Sequence, residues 1–179
     1  MEVVVPDEFK HLFVQDKDHP VVKVPAEVLR QKALDVAQVS KKTQKLIDEM
    51  IAAMTKAHGI GLAAPQLGVS QRIIVVAADG MRPTPLINPV VTLQEGEQIG
   101  EEGCLSIPGL YGDVKRAAFV QVEALDRKGR EVELEMEGTP ARVLLHEVDH
   151  LDGVLFIDKV DLSTLHWRDP LAPQDDTAE

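Results

Sequence analysis

The chain has 179 residues, a formal net charge of −11 and a single cysteine. This length is typical of one domain over residues 1–179, and the negative charge argues against strong nonspecific binding to nucleic acid. One cysteine excludes an internal disulfide, no apolar run approaches the length of a membrane span, and the acidic first 20 residues lack a signal-peptide pattern. These features together favour a cytoplasmic protein with no membrane partner.

The first third of the chain contains a leader and one clear helix. Residues 1–19 form a leader of uncertain role, with a short strand expected at 3–5. Between Ser40 and His58 apolar residues recur at spacings of three and four, which predicts an amphipathic helix that Gly59 ends. His58 then sits at the helix end, where a positive imidazole suits the helix dipole, and we do not count it as a metal ligand.

Residues 59–68 are predicted to form a loop that passes close to another element. Gly59 and Gly61 permit a close approach of the backbone, and the small Ala63 and Ala64 permit tight packing. No Lys-Ser/Thr pair follows, so this is not a phosphate-binding loop. The residues alone also allow a plain helix-to-strand turn, in which Gln66 only hydrogen-bonds to backbone.

Most of the remaining chain has the pattern of strands. We expect strands at 72–77, 86–88, 90–93 and 154–157, an extended segment at 98–108, and a hairpin formed by 118–125 and 131–137. The glutamates of the hairpin alternate with apolar residues and are expected on its solvent face. Antiparallel β-sheets packed around one central helix make an α+β domain.

That central helix carries the sequence His146-Glu147-Val148-Asp149-His150. Residues four apart lie on one helix face, so His146 and His150 can bind a single metal ion while Glu147 serves as a general base. Thr139 is the expected N-cap, and Gly153 the expected C-terminal stop.

Two histidines do not complete a catalytic metal site, which typically has three protein ligands and one open position. Phe156 stands where a third histidine would follow in one class of zinc peptidase, and after Glu147 the only glutamate is the terminal Glu179. Asp158 and Asp161 are possible ligands but lie close to the end of the helix, so the better candidate is upstream. It is Cys104, because thiolate is a strong ligand for Zn²⁺ or Fe²⁺. A lone cysteine is often only a small buried apolar residue. Because the two-histidine helix lacks a third ligand, we favour the interpretation that this cysteine binds the metal.

Three motifs, taken together, resemble the peptide deformylase family. In chain order they are Gly59-Ile60-Gly61-Leu62-Ala63-Ala64-Pro65-Gln66, then Glu102-Gly103-Cys104-Leu105-Ser106, then His146-Glu147-Val148-Asp149-His150-Leu151. The similarity runs from about Val22 to Asp158. The long leader and the C-terminal tail depart from the family pattern.

The resemblance implies removal of the formyl group from the formyl-methionine of nascent polypeptides, with release of formate. A bound divalent metal, most commonly Fe²⁺ with Zn²⁺, Ni²⁺ or Co²⁺ as substitutes, would lower the pKa of its water so that hydroxide forms near neutrality. Glu147 would transfer the proton, while Gln66 and the backbone N–H of Leu105 would stabilise the oxyanion. Residues expected to bind the substrate are Ile60, Gly61, Gly103, Tyr111 and Val143. From the sequence alone, Ile60, Tyr111 and Val143 could equally be core residues.

Two alternative classes remain open from the sequence. One is an ordinary metallopeptidase, against which the missing downstream ligand counts. The other is a structural metal site closed by a fourth ligand, for which His58 is the nearest candidate. We also expect an ion pair between Glu102 and Arg116 that steadies the strand of Cys104.

The C-terminal tail, residues 165–179, is expected to be poorly ordered, although Trp167 can hold part of it against the domain. Prolines interrupt it and its charge is acidic, which disfavours a helix that docks on ribosomal RNA. We therefore expect only transient contact with the ribosome and no direct contact with nucleic acid.

Overall fold

The computed structural model describes residues 1–172, which form two helices and two antiparallel sheets. The elements in chain order are α1 (Lys41–Lys56), β1 (Gly61–Ala63), β2 (Ile73–Val76), β3 (Thr84–Glu95), β4 (Gln98–Cys104), β5 (Ile107–Arg116), β6 (Phe119–Leu125), β7 (Glu131–Glu137), α2 (Thr139–Leu151) and β8 (His166–Trp167). One sheet has the order β1-β2-β3-β6-β7 and the other β4-β5-β8. The predicted α+β fold is confirmed. Neither helix is long and apolar enough to cross a membrane within residues 1–172.

Helix α1 begins at a capping box and buries one face. The Ser40 hydroxyl accepts from the Thr43 amide, and the Thr43 hydroxyl accepts from the Ser40 amide. Ile47, Met50 and Met54 are buried against β1 and β2. The predicted end at Gly59 is wrong by a few residues. The helix ends at Lys56, and His58 adopts a left-handed backbone with φ 56°.

Strand β3 is one long strand where two were predicted, at 86–88 and 90–93. Asn88 and Pro89 are residue types that usually interrupt a strand. Here they form a bulge, in which Asn88 has φ 51°, and the strand continues beyond it. The Asn88 side chain accepts from the Val36 amide at 2.8 Å and donates to the Val36 carbonyl at 2.9 Å. These two hydrogen bonds to a distant segment stabilise the bulge, so β3 pairs with its neighbouring strands both before and after it.

Two short predicted strands are absent from the described part of the chain. Residues 154–157 lead instead into a 3-10 helix, Phe156–Asp158, because the Asp158 carboxylate accepts from the Leu155 amide at 2.9 Å. Residues 3–5 precede another 3-10 helix, Asp7–Leu12. The predicted hairpin is confirmed as β6 and β7, with buried Val120 and Val122 on its inner face.

Helix α2 lies between the two sheets. Its N-cap is Gly138 with φ 62°, and the predicted cap Thr139 is its first helical residue. Gly153 follows the last turn with φ 72°, as expected of a residue that ends a helix. Leu144 and Leu151 are fully buried against the five-stranded sheet.

The two ends of the described chain pack together on the outside of β5. Trp167 belongs to β8, which pairs with Leu110 and Tyr111 of β5. Its ring stacks on Phe9 with centroids 5.2 Å apart and lies 6.3 Å from Phe13. A strand therefore forms within the predicted tail, whereas residues 173–179 lie outside the described residues.

We expect Trp167→Ala to lower the free energy of unfolding by about 2–3 kcal/mol, somewhat less than a fully buried tryptophan, because it removes the stack with Phe9. Urea titration followed by circular dichroism measures this loss. Leu171→Ala, at a side chain that is 75% exposed, is the control and should change stability little. Equal unfolding midpoints for the two variants would contradict the role of Trp167.

Candidate metal centre

The structure brings Cys104, His146 and His150 together. Their sulfur and ring nitrogen atoms all lie within 4.8 Å of one another, and Cys104 Sγ is 3.3 Å from His150 Nε2. Two ligands of one tetrahedral ion lie roughly 3.5 Å apart, given bonds of about 2.0–2.3 Å. The donor set therefore fits a single divalent ion. Among residues 1–172, this group does not include His58, which a closed structural site would need.

The buried carboxylate of Glu102 organises one side of the centre. Glu102 Oε2 lies 2.8 Å from His146 Nδ1, which leaves Nε2 as the nitrogen that faces the other ligands. Arg116 donates two hydrogen bonds to the same carboxylate, at 2.9 and 3.0 Å, and Arg142 donates a third at 2.9 Å. The predicted ion pair between Glu102 and Arg116 is confirmed.

The protonation of these groups follows from their surroundings. Burial alone would raise the pKa of Glu102, but the Arg116 guanidinium and the His146 ring outweigh it and hold that pKa well below its usual range. Burial lowers the pKa of His150 well below its usual value, which favours the neutral ring that binds metals. At His146 burial acts in the same direction, but hydrogen bonds to Cys104 and Glu102 outweigh it and raise the pKa.

Glu147 lies beside the three ligands and is almost fully buried. Its Oε2 has no hydrogen-bond partner among the described residues. Burial raises the pKa of Glu147 to about 7. Gly61 of β1 passes so close that a Cβ there would lie 2.5 Å from Glu147 Oε1. The predicted close approach of residues 59–68 is therefore an approach to this carboxylate. The prediction of a loop there is wrong, because Gly61–Ala63 pair with β2 as a strand and Ala64–Leu67 form a 3-10 helix.

The side chain of Gln66 is held in one orientation. Its Oε1 accepts from the Ala63 amide at 3.0 Å, so Nε2 points toward Ser106 Oγ at 3.1 Å and Cys104 Sγ at 3.7 Å. Leu105, in the turn between β4 and β5, follows Cys104 directly. Its backbone N–H donates to no other residue within 1–172. Two donors therefore lie next to the sulfur.

The residues predicted to bind substrate differ in how deeply they are buried. Val143 is buried next to Gly61, whereas Ile60 is 49% exposed. Gly103 lies opposite Tyr111 in the β4–β5 pair, and a Cβ at Gly103 would lie 2.5 Å from the Tyr111 ring. The contact of these five residues with substrate stays a prediction.

A groove of about 730 Å³ lies behind α2 and contains none of the three ligands. Most of its charged groups are already paired, since Arg72 contacts Asp152 while Arg116 and Lys159 contact Asp149. The volume of this groove is therefore no evidence for the reactive site, and the convergence of donor atoms is the better guide.

Three contributors to the centre escaped the sequence analysis. Arg142 and Asp149 join Glu102 and Arg116 in one network, and Ser106, fully buried, contacts Gln66. Arg142, His146 and Asp149 are four and three residues apart on α2, so they share a helix face. This spacing could have predicted that the three side chains lie together. It could not have identified Glu102 of β4 and Arg116 of β5 as the residues that they contact.

Known proteins agree with the resemblance seen in the motifs. The family model described as polypeptide deformylase matches residues 18–165. A peptide deformylase of Desulfitobacterium hafniense is 50% identical over 141 residues, which covers 79% of this chain and 93% of that protein. One of Halothermothrix orenii is 53% identical over 139 residues, covering 77% and 90%.

Solved structures show the same similarity. The crystal structure of the Thermotoga maritima peptide deformylase has a TM-score of 0.77 and 38% identity, covering 79% of this chain and 97% of that chain. The Acinetobacter baumannii class I type b enzyme, described as bound to Met-Ala-Ser, also has a TM-score of 0.77 and 38% identity, covering 79% of this chain and 97% of that chain.

We expect Cys104→Ala to bind divalent metal at least about 10²-fold more weakly. Mutation of a residue that only hydrogen-bonds to a metal ligand already weakens metal affinity about 10- to 100-fold, and loss of a ligand itself should weaken it at least as much. Metal content of the purified protein, measured by plasma mass spectrometry, is the test. His58→Ala is the control and should keep its metal. Stoichiometric metal in Cys104→Ala would exclude the cysteine from the ligand set.

Proposed function

The chain belongs to the polypeptide deformylase family, and from this premise we propose how its residues carry out the family's reaction. That reaction is metal-dependent hydrolysis, which removes the formyl group from the N-terminal formyl-methionine of new polypeptides and releases formate. The observation that carries the assignment of residues is the convergence of Cys104, His146 and His150 beside the buried Glu147.

We propose these three residues as the complete protein ligand set for one divalent ion, Fe²⁺, with Zn²⁺, Ni²⁺ or Co²⁺ able to occupy the same donors. A thiolate and two imidazoles are suitable donors for all of these ions. When bound, the ion acts as a Lewis acid and lowers the pKa of water at the centre.

Glu147 is proposed to move the proton. The Glu147 carboxylate has an unpartnered oxygen and lies next to the ligands without being one of them. It can accept a proton from the attacking water and pass it to the leaving amine. Because the group is buried, it does this away from bulk solvent.

Gln66 and Leu105 are proposed to stabilise the developing oxyanion. The Gln66 amide is fixed through its Oε1, so its Nε2 donor needs no reorganisation during the reaction. The Leu105 N–H lies one residue beyond the ligand Cys104. Two preorganised donors close to the metal suit attack on a small acyl group.

The substrate peptide is proposed to bind between two unpaired strand edges. Strand β1 is the outer strand of one sheet and β4 the outer strand of the other, and both have a glycine beside the centre, Gly61 and Gly103. An extended chain can add to such edges through backbone hydrogen bonds. Ile60, Val143 and Tyr111 would then contact its side chains.

We place the reaction in the cytoplasm, on nascent chains that meet the protein by brief contact with the ribosome. The net charge of −11 disfavours a lasting association with ribosomal RNA. Formate release from formyl-Met-Ala, with metal analysis of the same anaerobic sample, tests the proposed function. Cleavage of casein without release of formate would favour an ordinary metallopeptidase instead.

Glu147→Gln keeps the size of the side chain but cannot accept the proton. We expect its kcat on formyl-Met peptides to fall at least about 10²-fold while the metal content stays unchanged. Steady-state rates and metal content of one preparation decide the matter. Loss of metal would make Glu147 a ligand, and a wild-type rate would require another base.

Gln66→Leu removes one oxyanion donor and leaves the ligands in place. We expect kcat to fall about 10²–10³-fold, as for the loss of a single oxyanion donor elsewhere. The same formate assay measures this, with thermal unfolding as the check on folding, because the Ala63 amide also loses its partner. A rate within a few-fold of wild type would remove Gln66 from the mechanism.

A further inference from the structure

A cluster of four side chains covers the outer face of the three-stranded sheet next to the metal centre. The Arg168 guanidinium carbon lies 4.3 Å from the centroid of the Tyr111 ring, and Arg168 Nη2 is 2.7 Å from Glu101 Oε2. The His166 ring centroid is 6.2 Å from that of Tyr111. Tyr111 is therefore held by residues of β8 and of the segment just after it.

These holding residues lie outside the part of the chain that matches the family model, which ends at residue 165. The same is true of Phe9, whose stack on Trp167 packs β8 against the domain. Arg168 is also tied by its own amide, which donates to the Gly109 carbonyl of β5 at 2.8 Å. The segment is thus fixed at both its backbone and its side chains.

The Tyr111 ring lies against β4 beside Gly103, close in sequence to the proposed ligand Cys104. Its carbon atoms come within 2.5 Å of where a Cβ would stand on Gly103, the residue just before the ligand Cys104. An extended peptide advances about 3.3 Å per residue. A chain with its formyl group at the metal therefore brings its second and third residues to the neighbourhood of this ring.

We propose that Arg168 is a positioning residue that holds the Tyr111 ring as a side wall for the residues after the formyl-methionine. The inference rests on the proposed function. A guanidinium stacked on one face of the ring restricts the ring to one orientation, and the Glu101 carboxylate keeps the guanidinium in place. Through this contact β8 takes part in selecting the substrate without touching the reacting atoms.

The test compares formyl-Met-Ala with formyl-Met-Ala-Ser-Ala in the metal-loaded full chain. For Arg168→Ala we expect KM for the longer peptide to rise about 2- to 5-fold, the size of one exposed cation–π contact, while kcat stays unchanged and KM for the shorter peptide, which has only one residue after the methionine, rises less. Arg168→Lys should behave like Arg168→Ala, because lysine keeps the charge but loses the flat stacking surface. Full rescue by lysine would overturn the proposal.

Arg127→Ala is the matched control, since Arg127 also pairs with a carboxylate at 2.7 Å and its side chain is 40% exposed against 42% for Arg168. It should leave both KM values unchanged. In a Tyr111→Ala background, Arg168→Ala should have no further effect, because the two act as a unit. An undiminished effect there would overturn the positioning role.

Failure of this inference and failure of the proposed function would give different results. An active wild-type protein whose KM ratio does not change in Arg168→Ala overturns this inference alone. A metal-loaded wild type that releases formate from neither peptide overturns the proposed function, and this inference with it.

Discussion

The metal centre depends on one buried carboxylate that belongs to none of its ligands. Glu102 receives hydrogen bonds from Arg116 and Arg142 and fixes the ring of His146. Any one of these charged groups would be costly to bury alone, whereas together they neutralise and satisfy one another. Because Glu102 lies on β4 and the histidine on α2, the same contact sets the distance between Cys104 and the helix. The network thus joins donor atoms from two distant segments, β4 and α2, in one candidate site.

The second structural requirement is a gap between two sheets. Exposed strand edges usually invite unwanted pairing and are covered or blunted in most folds. Here the free edges of β1 and β4 flank the centre, and each has a glycine at the closest point, Gly61 and Gly103. The missing side chains leave room for a peptide backbone beside Glu147 and Cys104. An edge that would promote aggregation in another protein is suited to one whose substrate is a newly made, extended chain.

The sequence predicted correctly those features that depend on residues close together in the chain. The period of α1, the alternation of β6 and β7, and the spacing of His146 and His150 all follow from nearby residues. The continuity of β3 was missed because Asn88 and Pro89 look like breakers, and a contact with Val36 reverses that outcome. The link from Glu102 to His146 was missed for the same kind of reason, since its two ends are separated by β5, β6 and β7. Long-range contacts that override local preference left no mark in any short stretch of sequence.

The stack of Phe9 on Trp167 joins the two ends of the described chain, and this bears on the order in which the molecule assembles. Closing a loop costs entropy that grows with its length, and few contacts in this fold enclose more of the chain. Synthesis runs from the N-terminus, so the leader exists long before Trp167 emerges from the ribosome. Phe9 therefore cannot form this stack until β8 has been made. In a protein that trims other nascent chains, the contact between the leader and β8 is thus a late step of its own folding.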